Sequence, residues 1–183
     1  MLTLCVPEID LYDEEKEEFV NLAKGGCTIN FEHSLMSISK WESKWKKPFI
    51  GDGDDEGPKT AEELIDYVKC MVINKNVDEH IIDYLPQELF VQIKNYIETP
   101  QTATKFYDME TGKPKKKERI TSEKLYAYMV MYRIPWEAQK WHISRLMNVL
   151  EYCGKFNTPP SKTTAKQRAL LNKANRAKFK TKG

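Results

Sequence analysis

The sequence predicts an α+β fold, mainly helical. A single globular domain over residues 1–154 carries an N-terminal β-hairpin and a second small β-hairpin, and a basic C-terminal tail follows over 155–183. Three observations lead there. Apolar residues recur at helical spacing in several stretches, most of them opened by a capping residue or a proline. Near the N-terminus the pattern is instead alternating, with a glycine pair between two candidate arms. Charge is also partitioned: nine basic and no acidic residues follow position 154, whereas residues 1–154 hold 20 basic and 27 acidic ones.

Leu2, Leu4 and Val6 alternate with polar or small neighbours, the period of a strand buried on one side. A second run, Cys27-Thr28-Ile29-Asn30-Phe31, follows Gly25-Gly26, and the spacing predicts a hairpin of 17–22 with 27–32. The first helix is expected over 34–46. Leu35, Ile38, Trp41 and Trp45 form its apolar stripe, Lys40, Lys44 and Lys47 lie opposite, and Pro48 ends it.

An acidic, glycine-rich loop (GDGDDEGP, 51–58) precedes a second helix with a capping box, Thr60 as N-cap and Glu63 three residues on. Its apolar face is Leu64, Ile65, Val68, Met71 and Val72. A third helix begins at Pro86, with Leu89, Phe90, Ile93, Tyr96 and Ile97 along it. Two short strands around 104–107 and 117–120, joined by a polar turn, make the second hairpin. Thr121 or Ser122 caps a fourth helix through about 132, and Pro135 breaks the chain. The fifth helix is expected over 136–153, apolar on two sides and ended by Gly154.

Several function classes are disfavoured. No apolar run approaches the roughly eighteen residues of a membrane span, and the first residues lack the basic start of a secretory signal. Cys5, Cys27, Cys70 and Cys153 are widely spaced without a CxxC pair, which reads as reduced and mostly buried thiols. His33, His80 and His142 form no HxH or HxxxH arrangement, and neither a phosphate loop nor a dinucleotide fingerprint occurs. Asp52, Asp54, Glu56, Gly57 and Glu63 match positions of a calcium loop. However, position eight is Lys59, and Glu63 already belongs to the capping box, so a solvated acidic turn is the plainer reading. Catalytic residues, cofactors and metals are therefore not expected.

Trp41, Trp45, Trp136 and Trp141 all fall on predicted helices beside basic residues. They read as core, as an aromatic groove for a partner helix, or as stacking positions for nucleic acid. The tail admits a solvated terminus, a nucleic-acid arm, or a helix that folds on contact with a partner.

The segment FEHSLMSISKWESKWKKPFIG (31–51) resembles a family of proteins of long-tailed bacteriophages and prophages labelled tail assembly chaperones. The likeness continues through KTAEELIDYVKCM (59–71), TATKF (102–106) and IPWEAQKWHISRLMNVL (134–150). The resemblance implies a non-enzymatic role in the host cytoplasm. Such a chaperone holds the long helical tape measure protein soluble while tail-tube subunits polymerise around it, and is absent from the finished tail. A structural virion protein of the tail or head–tail junction, and a nucleic-acid-binding accessory protein using 155–183, are the alternatives. Self-association is an additional partner possibility; a membrane is not expected. The residues expected to bind a partner are Leu35, Ile38, Trp41, Trp45, Trp136 and Trp141 for an apolar groove, with Lys166, Arg168, Lys173 and Arg176 for an acidic surface.

Overall fold

Leu2, Leu4 and Val6 do share one face of a strand. In the computed structural model, which describes residues 1–14, 17–51, 59–104, 120–157 and 172–173, β1 (Leu2–Val6) pairs antiparallel with β4 (Cys27–Phe31). The register sets Leu2 opposite Phe31, Leu4 opposite Ile29 and Val6 opposite Cys27. These residues turn inward, and Leu4, Val6, Ile29 and Phe31 are buried. The expected pairing of 17–22 with 27–32 does not form. Instead β3 (Glu18–Asn21) pairs with β2 (Asp10–Asp13), so this short hairpin is nested inside the β1–β4 connection. The physical reason is burial: β1 offers β4 a matching apolar row, which the acidic stretch around Phe19 lacks.

The Leu22 N–H donates to the Ile9 carbonyl (3.0 Å) and closes the base of the inner hairpin. Gly25 and Gly26, at φ 74° and 78°, then turn the chain back into β4. A side chain at Gly26 would place its Cβ 3.0 Å from the Val6 carbonyl oxygen, so the position needs glycine on both counts.

The helices follow in order: α1 (Leu35–Trp45), α2 (Ala61–Met71), α3 (Gln87–Glu98), α4 (Ser122–Met131) and α5 (Ile143–Asn157). Two 3₁₀ segments accompany them, Glu79–Tyr84 and Trp136–Lys140. Thr60 with Glu63 is the predicted cap, and Thr121 is the first of the two residues expected for α4; Ser34 and Pro86, expected as first helical residues, are instead the N-caps of α1 and α3. Ser34 Oγ accepts from the Ser37 N–H, Thr60 and Glu63 form the reciprocal capping box, and Thr121 caps α4. Lys46, in the left-handed region at φ 58°, ends α1 just before Pro48. Beyond α2 the chain lies against β4. Phe31 bridges to Val72, the Glu32 N–H donates to Met71 (2.9 Å), and the Ile73 N–H donates to Asn30 (2.9 Å).

The single helix expected over 136–153 is two elements. Trp141 is extended (ψ 158°), Ser34 bridges to His142, and the Ile143 N–H donates to the His33 carbonyl at 2.7 Å. This pairing with the β4–α1 turn satisfies backbone groups that a continuous helix would have used within itself. His142 then starts α5, its carbonyl accepting from Arg145 (3.0 Å) and Leu146 (3.3 Å). Nor does Gly154 stop α5, which runs on to Asn157. A helical glycine costs about 1 kcal/mol. Two pairs at i,i+4 spacing span it: Glu151 with Lys155 (2.7 Å), and the stacked rings of Tyr152 and Phe156.

Residues 1–150 form one compact unit and 151–183 a second. Phe31, Leu35, Ile38, Met71, Met129 and Leu146 are fully buried at the centre of the first unit. The hairpin expected at 104–120 lies almost wholly outside the described residues; at its end, Ile120 makes an antiparallel bridge to Ile50. Among the described residues no helix is long and apolar enough to cross a membrane.

Candidate protein-binding surface

The stripe on α1 is core, not groove. Leu35, Ile38 and Trp41 are buried. The Trp41 indole N–H donates to the Glu63 carbonyl at 2.7 Å, and its ring packs edge-on against Phe49. Trp45 is half-buried, and its indole donates to Asp66 Oδ2 at 3.0 Å. The expectation that these side chains form an open groove is therefore corrected. Helix α2 covers the stripe, because the bulky indoles find hydrogen-bond acceptors there as well as apolar contact. Trp141 is half-buried and capped by the Arg145 guanidinium, 4.5 Å from its ring centre.

Trp136 is different: it is 52% exposed. Its position follows from the way α4 ends. Arg133 adopts φ 54°; its N–H donates to Val130 (3.1 Å), and the Ile134 N–H reaches back to Met129 (2.9 Å). Those two bonds make a Schellman turn, with arginine where glycine is usual. Pro135 follows and opens the 3₁₀ segment, so the chain doubles back. Trp136 thereby stacks on Tyr126 of α4, with ring centres 5.2 Å apart. The Tyr126 hydroxyl donates to Gln139 Oε1 at 3.2 Å, which ties the segment to the helix.

Helix α4 buries Leu125 and Met129 on one side while Val130 and Met131 stand 67% and 60% exposed on the other. Its sequence, SEKLYAYMVM, is apolar nearly all round. Such a helix is ordinarily enclosed by protein on every side. Tyr126 and Val130 are i,i+4 neighbours, so Trp136, Tyr126 and Val130 form one apolar strip with Met131 beside it. Of these, the sequence reading had named only Trp136. The lack of a polar face on α4 was the available signal for the others.

The buried polar centre of the molecule lies elsewhere. The rings of His33 and His142 meet edge to face with centroids 5.1 Å apart. His33 Nδ1 shares a short hydrogen bond with the Tyr67 hydroxyl, Tyr96 packs on His142, and the Tyr96 hydroxyl donates to Glu32 Oε1 at 2.6 Å. Burial, reinforced by repulsion from His142, lowers the His33 pKa to about 4. Burial also lowers His142, offset in part by Glu32 and the Tyr96 backbone. Both imidazoles are thus held neutral inside the core, where they join the β4–α1 turn to α2, α3 and the start of α5.

Of the calcium-loop residues, Asp52, Asp54, Glu56 and Gly57 lie outside the described residues. Glu63 is buried, and both its oxygens are engaged: Oε1 by Lys47 (2.6 Å) and Oε2 by the Thr60 N–H (2.8 Å). The thiols are less buried than expected. Cys5 is exposed, and Cys27, Cys70 and Cys153 are half-buried, all four free. Lys173 is exposed on a short helical stretch, and Lys166, Arg168 and Arg176 lie outside the described residues. Comparison with protein-family models, with curated proteins and with solved structures found no match.

Proposed function

We propose that this chain is a non-enzymatic tail assembly chaperone of a long-tailed bacteriophage, acting in the host cytoplasm on the helical tape measure protein. The segments at 31–51, 59–71, 102–106 and 134–150 resemble that family, and one structural observation supports a binding role. Val130 and Met131 of α4 and Trp136 of the following 3₁₀ segment are exposed, with the half-buried Tyr126 joining them, on a helix whose composition calls for cover.

The strip suits a helical client. Trp and Tyr present large rings of low side-chain entropy, and Met adapts its shape to whichever apolar seam lies against it. The α1 indoles of Trp41 and Trp45 serve the reading indirectly: their hydrogen bonds to Glu63 and Asp66 tie α1 to α2 and make the platform rigid. Because the contact is apolar, client binding persists at high salt, unlike binding of nucleic acid through residues 155–183.

The test is affinity purification of the tagged chain from infected or prophage-induced cells, with mass spectrometry of the eluate and of purified virions. The reading expects a long helical phage protein in the eluate, retained at about 0.5 M salt where charge contacts are screened, and no copies of this chain in virions. Abundance in virions makes the chain a structural component and overturns the reading.

A further inference from the structure

The inner hairpin carries a second exposed apolar feature, well separated in sequence from the α4 strip. Tyr12 and Phe19 are cross-strand partners on β2 and β3, 54% and 75% exposed, with their rings edge to face and centroids 5.2 Å apart. The hairpin is braced at its base. Asn21 Nδ2 donates to Glu8 Oε1 (2.5 Å) and to Asp10 Oδ1 (2.6 Å), so the aromatic pair stands on a fixed ladder. Two rings left facing solvent on one sheet face form a surface without a partner among the described residues.

Charge complementarity identifies the occupant. Residues 8–21 contain seven acidic side chains and one lysine. On the face of the rings, Asp10 precedes Tyr12 on β2, and the exposed Glu14 and Glu17 lie in the turn just beyond the pair. The segment 158–183 of the same sequence contains eight basic residues, no acidic residue and the aromatic Phe179. Lysine and arginine are the side chains that both pair with these carboxylates and pack over the aromatic faces.

We propose that the Tyr12–Phe19 face docks the basic C-terminal segment of a second copy of this chain. The contact is heterologous: one copy gives its hairpin and the other its terminal segment. Each bound copy therefore still offers one unused hairpin and one unused segment, and copies add head to tail. Each junction sets basic side chains on acidic ones, which offsets the repulsion between bodies that carry seven net negative charges over 1–154. This surface is distinct from the α4 strip, and its failure leaves the client-binding reading untouched.

Sedimentation velocity of the full chain tests the proposal, at about 50 mM and about 500 mM NaCl, since the screening length shortens from about 14 Å to about 4 Å over that range. The wild type is expected to associate with rising concentration at low salt and to weaken at least tenfold at high salt. Two full-length variants separate the halves: Y12S/F19S/E17K, with an altered hairpin, and K166E/R168E/R176E, with an altered segment. Each alone is expected to stay monomeric, with an unchanged circular dichroism spectrum. Mixed, they are expected to form a dimer that grows no further, because only one functional hairpin and one functional segment remain. A wild type that is monomeric at all concentrations overturns the proposal. So does a mixture that fails to dimerise, or association that either variant alone retains.

Discussion

Lowering the pH from 7 to 5 should destabilise the protein before its carboxylates titrate appreciably, through the neutral, buried His33. Its ring is 6% exposed, wedged between His142 and Tyr67. The folded pKa is about 4 against an ordinary 6.5. The unfolded chain therefore takes up a proton as pH falls through 6.5, while the folded chain does not until near 4. Stability is full above the upper value and is lost progressively as pH drops through that window. The whole interval corresponds to about 3 kcal/mol, of which about 2 kcal/mol falls between pH 7 and 5. His142, also lowered, adds in the same direction. Urea titrations at pH 7, 6 and 5 read this directly, as a midpoint that falls by about 1 M at a typical slope near 2 kcal/mol per molar. His33→Gln removes the titration and is expected to flatten the pH dependence while lowering stability at pH 7, because the buried Tyr67 hydroxyl is paired less well. A wild-type midpoint that stays constant from pH 7 to 5 refutes the argument. An identical pH dependence in His33→Gln does so equally.

Three further outcomes follow from the packing. Trp41→Ala removes a fully buried indole and its hydrogen bond to Glu63, and thermal or urea unfolding should show a loss of about 3–5 kcal/mol. Glu42 is buried; Oε1 accepts from the Phe49 N–H (2.8 Å) and Oε2 from the Ser122 N–H (2.7 Å), so it ties α1 to the start of α4. Glu42→Ala should cost about 2–4 kcal/mol, and Glu42→Gln, which keeps one carbonyl oxygen, about half as much in the same urea assay. Thr60→Ala opens the capping box of α2 and should cost about 1 kcal/mol, with faster amide exchange confined to the first turn of that helix.

What the sequence revealed was local. Thr60 with Glu63, Ser34 ahead of its stripe, and Pro86 at a helix start are signals carried within four residues, and each marks an element boundary in the structure. The pairing of β1 with β4 was not legible, because it joins residues about 25 positions apart across a nested hairpin. The glycine pair spoke only for a turn, not for which strands the turn serves. The break at Trp141–His142 was hidden for a similar reason. Its cause is the His33–Ser34 backbone, more than a hundred residues earlier. At the candidate site, periodicity placed Trp41 and Trp136 alike on helical stripes. Trp41 shares its stripe with Leu35 and Ile38 and is packed by α2. Trp136 is thrown outward by a reversal at Arg133, a non-glycine residue that gave no warning of a left-handed turn.

The measurement that bears most directly on the α4 strip is hydrogen–deuterium exchange on the chain alone and in complex with the helical protein it captures. The account predicts that residues 126–140 gain protection in the complex. It also predicts that Val130→Ser combined with Trp136→Ser, both exposed positions, abolishes capture while leaving the unfolding free energy within about 1 kcal/mol of wild type. Protection that appears elsewhere with 126–140 unchanged, or capture that survives the double substitution, contradicts it.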